Sequence, residues 1–93
     1  MDENVRFHIF VTGRVQGVFF RENMRRHAIS FGINGWVKNL NDGRVEAIFE
    51  GEKEKVEKII EWAKKGSIMA RIDNLEIVKE GHRGEFSNFN IIH

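Results

Sequence analysis

The chain has 93 residues, of which 41% are hydrophobic and 31% charged, and its formal net charge is +1. A chain of this length predicts a single domain over residues 1–93, with no room for a second. The absence of cysteine excludes disulfides, thiolate metal sites and cysteine nucleophiles. A net charge this close to zero also provides no general attraction for nucleic acid or for an anionic membrane.

The sequence has no feature that predicts export or membrane insertion. No stretch approaches the ~18 consecutive apolar residues that a membrane span requires. The first residues lack the basic start and the apolar run of a secretory signal. The four histidines are scattered without the spacing typical of metal ligands. We therefore expect a cytoplasmic protein without a membrane partner and without a metal site.

The first half of the chain contains a predicted strand, a helix and a hairpin. Residues 5–11 alternate between apolar and polar side chains, as in a strand with one buried face. Residues 20–31 carry an apolar stripe at helical spacing and are followed by Gly32, a typical helix end. Two further strand patterns, at 35–39 and 45–49, flank an Asp-Gly turn that is typical of a hairpin.

The second half contains a predicted helix that ends at Gly66, followed by short strands near residues 75–77 and 89–91. The resulting order predicts an α+β, ferredoxin-like split βαβ fold (βαββαβ). We expect an antiparallel sheet with both helices on one face and a short extra strand at one edge. This fold hosts many unrelated activities, so the function has to be inferred from the site.

The loop that joins the first strand to the first helix, residues 13–21, predicts an anion-binding site. At this position the main-chain N–H groups face outward and the N-terminus of the helix adds partial positive charge. Gly13 and Gly17 let the chain turn and let a ligand approach the backbone closely. Arg21 has a planar guanidinium suited to gripping two oxygens of one anion. Between Gly13 and His27, four arginines against one glutamate give a local charge of +3.

Two familiar phosphate-binding mechanisms do not fit this loop. The P-loop requires four residues between its glycines and then Lys-Ser or Lys-Thr, and this spacing is absent. In cysteine-based phosphatases the nucleophile stands six residues before the arginine, and here that position is Val15. The loop is therefore expected to bind its anion without a covalent intermediate.

Three segments together identify a family resemblance. Gly-Arg-Val-Gln-Gly-Val-Phe-Phe-Arg (13–21), Gly-Trp-Val-Lys-Asn (35–39) and Asp-Gly-Arg-Val-Glu (42–46) closely resemble the acylphosphatase family. Length and element order agree with that family across essentially the whole chain. The resemblance implies hydrolysis of the mixed anhydride between a carboxylic acid and phosphate. The expected partner is a small-molecule acyl phosphate, with no nucleic acid, and the chain is expected to act as a monomer.

The resemblance also implies roles for particular residues. The guanidinium of Arg21 would bind the phosphate, and the carboxamide of Asn39 would position the attacking water. The phosphate would also accept hydrogen bonds from the main-chain amides of Val15, Gln16, Gly17, Val18, Phe19 and Phe20. The leaving group is a carboxylate whose conjugate acid has a pKa of roughly 4, so no general acid is needed. The chemistry requires neither a metal nor a cofactor.

The sequence departs from the family pattern at three places. Leu40 stands where vertebrate members have a threonine, and Phe19 occupies a position often filled by glycine. The segment at 66–69 lacks the proline that many members place after its glycine. Neither Arg21 nor Asn39 is affected by these departures.

Other interpretations of the same sequence remain open. Asn39 could be a strand-end residue that caps the hairpin. The loop could belong to a non-catalytic anion-binding or regulatory module on the same fold. RNA binding is a third possibility, because the RNA-recognition fold shares this element order. It is disfavoured because the outward face of the third strand would show Glu46, Ile48 and Glu50. The two carboxylates would repel a phosphate backbone, and the expected aromatic motif is missing.

Overall fold

The computed structural model of the protein describes residues 3–93. Its elements follow the predicted order: β1 (Asn4–Arg14), α1 (Phe20–Phe31), β2 (Asn34–Asn39), β3 (Val45–Glu52), α2 (Lys53–Lys65), β4 (Arg71–Glu80) and β5 (Phe89–Ile91). The predicted α+β ferredoxin-like architecture is confirmed. Within residues 3–93, neither helix is long and apolar enough to cross a bilayer.

The strands form one five-stranded sheet in the order β4-β1-β3-β2-β5. The first four strands pair in antiparallel fashion, as expected. The predicted short extra edge strand is β5, which runs parallel to β2, with Val37 opposite Ile91, so that the complete sheet is mixed. The cause is the connection at 81–88. β4 ends at the end of the sheet where β2 begins, and the connection crosses to the opposite edge without leaving that end. β5 therefore begins beside the start of β2 and runs in the same direction.

The apolar core lies between the sheet and the two helices. Phe20, Met24 and Ala28 of α1 and the apolar stripe of α2 are buried against alternate residues of β1, β2 and β3. The ring of Phe20 stacks on Trp62 of α2 with 5.2 Å between centroids. Because Phe20 is the first residue of α1, this packing anchors the point at which the anion-binding loop enters the helix.

The opposite face of the sheet is covered at one end by the segment 81–88. We expected Ile48 and Glu50 to face outward in the open, but both are buried. The main-chain N–H groups of Arg83 and Gly84 donate to the Glu50 carboxylate at 3.0 and 3.3 Å. The guanidinium of Arg6 donates to the same carboxylate at 3.3 Å, which compensates its burial with charge and hydrogen bonds.

Candidate active site

Five chain segments meet at one end of the sheet. β1 and β2 end there, at Arg14 and Asn39, while β3 and β4 begin there, at Val45 and Arg71. The parallel pairing of β5 also brings its last residue, Ile91, to this end. The loop at 15–19 leaves β1 at the same place. The topology therefore gathers the predicted phosphate loop, Asn39 and the end of the chain on one side of the molecule.

The backbone of the loop alternates in the sign of φ. Gly17 has a φ of 73° and Phe19 a φ of 62°, and Phe19 is the sole non-glycine residue with positive φ among residues 3–93. Gln16 and Val18 therefore have negative φ. Successive N–H groups in such an alternation form a concave surface that binds anions. A bulky side chain in this conformation costs on the order of 1–3 kcal/mol. This cost explains why the position that Phe19 occupies here is often filled by glycine in the family that the sequence resembles.

The N–H groups of residues 15–20 have no partner of their own. Within residues 3–93, none of these six amides donates a hydrogen bond to another group. Phe19 occupies the N-cap position of α1, and no side chain caps this end. Uncapped amides at a helix N-terminus carry partial positive charge. The loop is thus a set of free donors that an anion can satisfy.

The two glycines of the loop have different roles. At Gly17 an added Cβ would meet nothing within 4 Å, so the backbone is open to a ligand, as predicted. At Gly13 a Cβ would lie 2.0 Å from the carbonyl oxygen of Arg71. Gly13 is therefore required for the close approach of β1 and β4, and the approach of a ligand is not its role.

Arg21 lies in the first turn of α1 and its charge is unpaired. Within residues 3–93 its guanidinium forms no ion pair, whereas Arg25 and Arg26 contact Glu22 at 3.8 and 3.6 Å. Arg21 faces an open depression of ≈ 480 Å³ that part of the predicted loop also lines. The walls are formed by Val15, Gly17, Phe19, Phe20, Arg21, Glu22, Ile91 and His93. A free guanidinium and free amides thus border one depression.

Asn39 ends β2 and does not line this depression. Its side chain forms no hydrogen bond within residues 3–93, and its Oδ1 is buried without a partner. The hairpin turn is held by main-chain bonds, from Leu40 N–H to the carbonyl of Arg44 and from Gly43 N–H back to that of Leu40. The carboxamide therefore does not cap the hairpin, and its hydrogen-bonding capacity is unused.

The side chain of Gln16 connects the loop to the hairpin. Its Nε2 donates to the carbonyl of Leu40 at 2.8 Å and to that of Arg44 at 3.0 Å. The sequence predicted a role for the main-chain amide of Gln16 alone. Its side chain is the one carboxamide in a loop of otherwise apolar and basic residues, and this contrast could have suggested a structural role. The bond to Leu40 fixes the loop next to the residue that follows Asn39.

Few titratable groups border the depression besides Arg21. They are Glu22, which contacts two other arginines, and His93. In the part of the chain that the structure describes, no group of three or more His, Cys, Asp or Glu side chains could hold a metal ion. The loop amides and Arg21 offer a ligand hydrogen bonds and positive charge.

Comparison with known proteins agrees with this geometry. The acylphosphatase family model matches residues 7–91. An acylphosphatase from Pyrobaculum islandicum is 50% identical over 91 residues, which are 97% of this chain and 96% of that protein. The crystal structure of acylphosphatase from Bacillus subtilis has a TM-score of 0.91 at 32% identity, over 96% of this chain and 99% of that one.

The same fold also occurs as part of a larger protein. HypF from T. kodakarensis has a TM-score of 0.82 at 36% identity, and the match covers 96% of this chain but 12% of that one. The relatives matched over nearly their whole length are acylphosphatases. The chain therefore belongs to the acylphosphatase family.

Proposed function

We propose that the chain hydrolyses acyl phosphates to a carboxylate and inorganic phosphate. In this proposal the amides of residues 15–20 and the guanidinium of Arg21 bind the phosphate, and the carboxamide of Asn39 positions the water. The observation that carries the proposal is a run of six main-chain donors beside a guanidinium, none of which has a partner within residues 3–93. Such an arrangement is complementary to a tetrahedral oxyanion.

The binding energy would come from charge-assisted hydrogen bonds. Each bond from a donor to a charged phosphate oxygen contributes roughly 1.5–3 kcal/mol. The donors are fixed before the substrate arrives, because the burial of Phe20 and the bonds of Gln16 hold both ends of the loop. Fixed donors stabilise charge that develops on the phosphate oxygens without reorganising during the reaction.

The reaction requires positioning and little acid–base chemistry. The water oxygen bonds to phosphorus, and the bond from phosphorus to the carboxylate oxygen breaks with its electron pair leaving on that oxygen. The carboxylate leaves without protonation, because the pKa of its conjugate acid is roughly 4. Asn39 cannot accept a proton, and in this proposal the proton of the water passes to a phosphate oxygen. A loose phosphoryl transition state is compatible with so small a set of groups.

The direct test is phosphate release from acetyl phosphate and benzoyl phosphate by the purified chain in the presence of EDTA. We expect turnover with both substrates, and competitive inhibition by inorganic phosphate. A chain that binds inorganic phosphate but releases none from either substrate would contradict the proposal and would support the non-catalytic anion-binding module.

We further propose that the open face of the sheet is not a nucleic-acid platform. The carboxylates of Glu46 and Glu80 bind His8 there at 2.6 and 3.0 Å. The rings of Phe10 and Trp36 are covered by Arg44 and Lys38, at 5.1 and 5.4 Å from the centroids. These rings are already engaged, so we expect no binding of labelled single-stranded RNA in fluorescence anisotropy. The monomeric state and the cytoplasmic location stay predictions from the sequence.

A further inference from the structure

A second depression, of ≈ 250 Å³, adjoins the depression that Arg21 and the loop line, which we call the phosphate depression. The two share the side chains of Phe19 and Glu22. The remaining walls of the second depression come from the first turns of α1 and from the segment at 67–69 that precedes β4. Because β4 begins at the end of the sheet where the loop lies, this segment borders the loop from the outside.

The second depression is lined by exposed apolar side chains. Phe19 is 74% exposed, Ile68 is 102% exposed and Met69 is 55% exposed. The other large apolar side chains exposed within residues 3–93, Ile29, Ile77 and Val78, line neither depression. Apolar surface concentrated beside a polar site is typical of a ligand-binding groove. Phe19 has a left-handed backbone conformation, and its ring is exposed to solvent.

We propose that this second depression binds the acyl group of the substrate, and that the preferred substrates carry an aromatic or branched aliphatic acyl group. The inference rests on the proposed function, because it takes the phosphate to be held by the loop. The acyl group is attached to the phosphate through one bridging oxygen, so it must lie beside the loop. Phe19 lines both depressions, and in this proposal its amide serves the phosphate and its ring serves the acyl group.

The charges at the rim disfavour an acyl group that carries a positive charge. Glu22 and Arg26 both line the second depression, and their side chains contact each other at 3.6 Å. Because Glu22 also contacts Arg25 at 3.8 Å, its carboxylate is shared by two guanidinium groups and is not free to attract an ammonium group on the acyl chain. Asn23 and Ser67 are the uncharged polar residues of this lining, and its exposed apolar surface comes from Phe19, Ile68 and Met69.

The test compares two substrates that share the phosphate end. We expect wild-type kcat/KM to be about tenfold higher for benzoyl phosphate than for acetyl phosphate, the lower end of what apolar contacts in a pocket provide. The double variant Ile68→Ser/Met69→Ser should lose most of this preference while kcat/KM for acetyl phosphate stays unchanged. Ile29→Ser removes an equally exposed apolar side chain from the outer surface of α1 and should leave the preference intact.

A second measurement separates binding from chemistry. Benzylphosphonate and methylphosphonate are not acyl phosphates, so their inhibition constants report binding alone. We expect the wild type to bind benzylphosphonate about tenfold more tightly than methylphosphonate. The double variant should bind the two phosphonates with about equal affinity. Phe19→Asn should also reduce the preference for benzylphosphonate over methylphosphonate, because asparagine tolerates the left-handed conformation but has no ring.

Several outcomes would overturn the inference without touching the hydrolase proposal. Equal wild-type kcat/KM for the two substrates, or an unchanged preference in the double variant, would exclude an acyl-binding depression. Loss of turnover by the same factor with both substrates would mean that residues 68 and 69 support the loop itself. A dimer in size-exclusion chromatography that dissociates in the double variant would identify the surface as a contact between two copies. Failure to hydrolyse either substrate would instead reject the proposed function.

Discussion

The side-chain nitrogen of Gln16 lies 2.8 Å from the carbonyl oxygen of Leu40, the residue that follows Asn39. A second bond from the same nitrogen, 3.0 Å long, reaches the carbonyl of Arg44 at the other side of the hairpin turn. One side chain therefore joins the phosphate loop to the segment that carries the proposed water-positioning residue. In the proposed reaction, Gln16 would thus fix the distance between the phosphate and the attacking water.

The variant Gln16→Met tests this coupling, because methionine has a similar length but cannot donate to either carbonyl. We expect kcat to fall by ~10- to ~100-fold, since small misplacements of reacting groups have effects of this size. KM should change less, because the loop amides and Arg21 still bind the phosphate. Steady-state kinetics would show the split, and an increase in KM with kcat unchanged would contradict it.

Arg21→Ala should lower turnover by at least ~10³, the scale of arginines that stabilise phosphoryl transfer. Arg21→Lys should recover only part of this loss, because an ammonium group cannot grip two oxygens with a fixed fork. Arg25→Ala is the matched control, since Arg25 lies one turn further along α1 and contacts Glu22. Wild-type kcat/KM in a folded Arg21→Ala variant would remove Arg21 from the site.

Asn39→Ala should lower kcat by ~10²–10³, the effect of removing one preorganised hydrogen-bonding group. The midpoint of thermal unfolding should not decrease, because the side chain makes no hydrogen bond within residues 3–93 and its Oδ1 is buried without a partner. Asn41→Ala, at an exposed position of the turn, serves as the control. A less stable variant with wild-type kcat would instead mean that the side chain supports the fold and takes no part in the reaction.

The glycines offer a comparison that isolates ligand approach from backbone strain. Gly17 and Gly43 both have positive φ, 73° and 97°, and a Cβ at either would meet nothing within 4 Å. Alanine at either position should therefore destabilise the fold by a similar ~1–2 kcal/mol. Only Gly17→Ala should also raise the inhibition constant of inorganic phosphate, because only this Cβ would enter the phosphate loop. Equal inhibition constants in the two variants would contradict the proposed role of Gly17.

The sequence predicted the element order and the loop because both depend on local patterns. Period-two alternation, a helical stripe and an Asp-Gly turn are each contained within a few residues. The role of Gly13 depends on a strand more than fifty residues away in the chain, since its Cβ would meet the carbonyl of Arg71. The parallel direction of β5 could not be predicted either, because it follows from the path of residues 81–88 across the sheet.

The same limit applies to the covered face of the sheet. The alternation of β3 assigned Glu50 to the outward face correctly, but no local pattern predicts that residues 83 and 84 donate to it. The motif of the loop contains both the glycine with positive φ and the arginine, so their places beside one depression follow from a local pattern, while their roles stay predictions. The bonds of the Gln16 side chain were missed, because their acceptors are main-chain carbonyls that carry no sequence signal.

The ion pairs on this face predict how stability depends on pH. Hydrogen bonds from Arg6, at 2.7 Å, and from His8, at 3.0 Å, hold the pKa of the Glu80 carboxyl below its ordinary value of 4.5. Burial would raise the pKa of Glu50, but hydrogen bonds from Arg83 N–H, Arg6 and Gly84 N–H outweigh it, so this pKa is also lowered. Both carboxylates therefore favour the folded state once they are ionised.

The sign of the effect follows from proton binding. A carboxyl with a lower pKa in the folded state binds fewer protons there than in the unfolded state at acidic pH. The free energy of unfolding should thus be at its plateau above the ordinary value of 4.5 and should fall as the pH drops through the lowered folded pKa values. Urea unfolding between about pH 3 and pH 7 measures this dependence.

Glu80→Gln should flatten the acid limb of this curve, because the amide cannot ionise and so contributes no proton difference. The plateau should also be lower, since Arg6 and His8 lose a charged partner. Glu76→Gln, at an exposed position of the same strand without an ion pair among residues 3–93, should leave the slope unchanged. If Glu80→Gln retained the full acid slope, the pH dependence would have to arise from other carboxylates, and the network around Arg6 would not be its source.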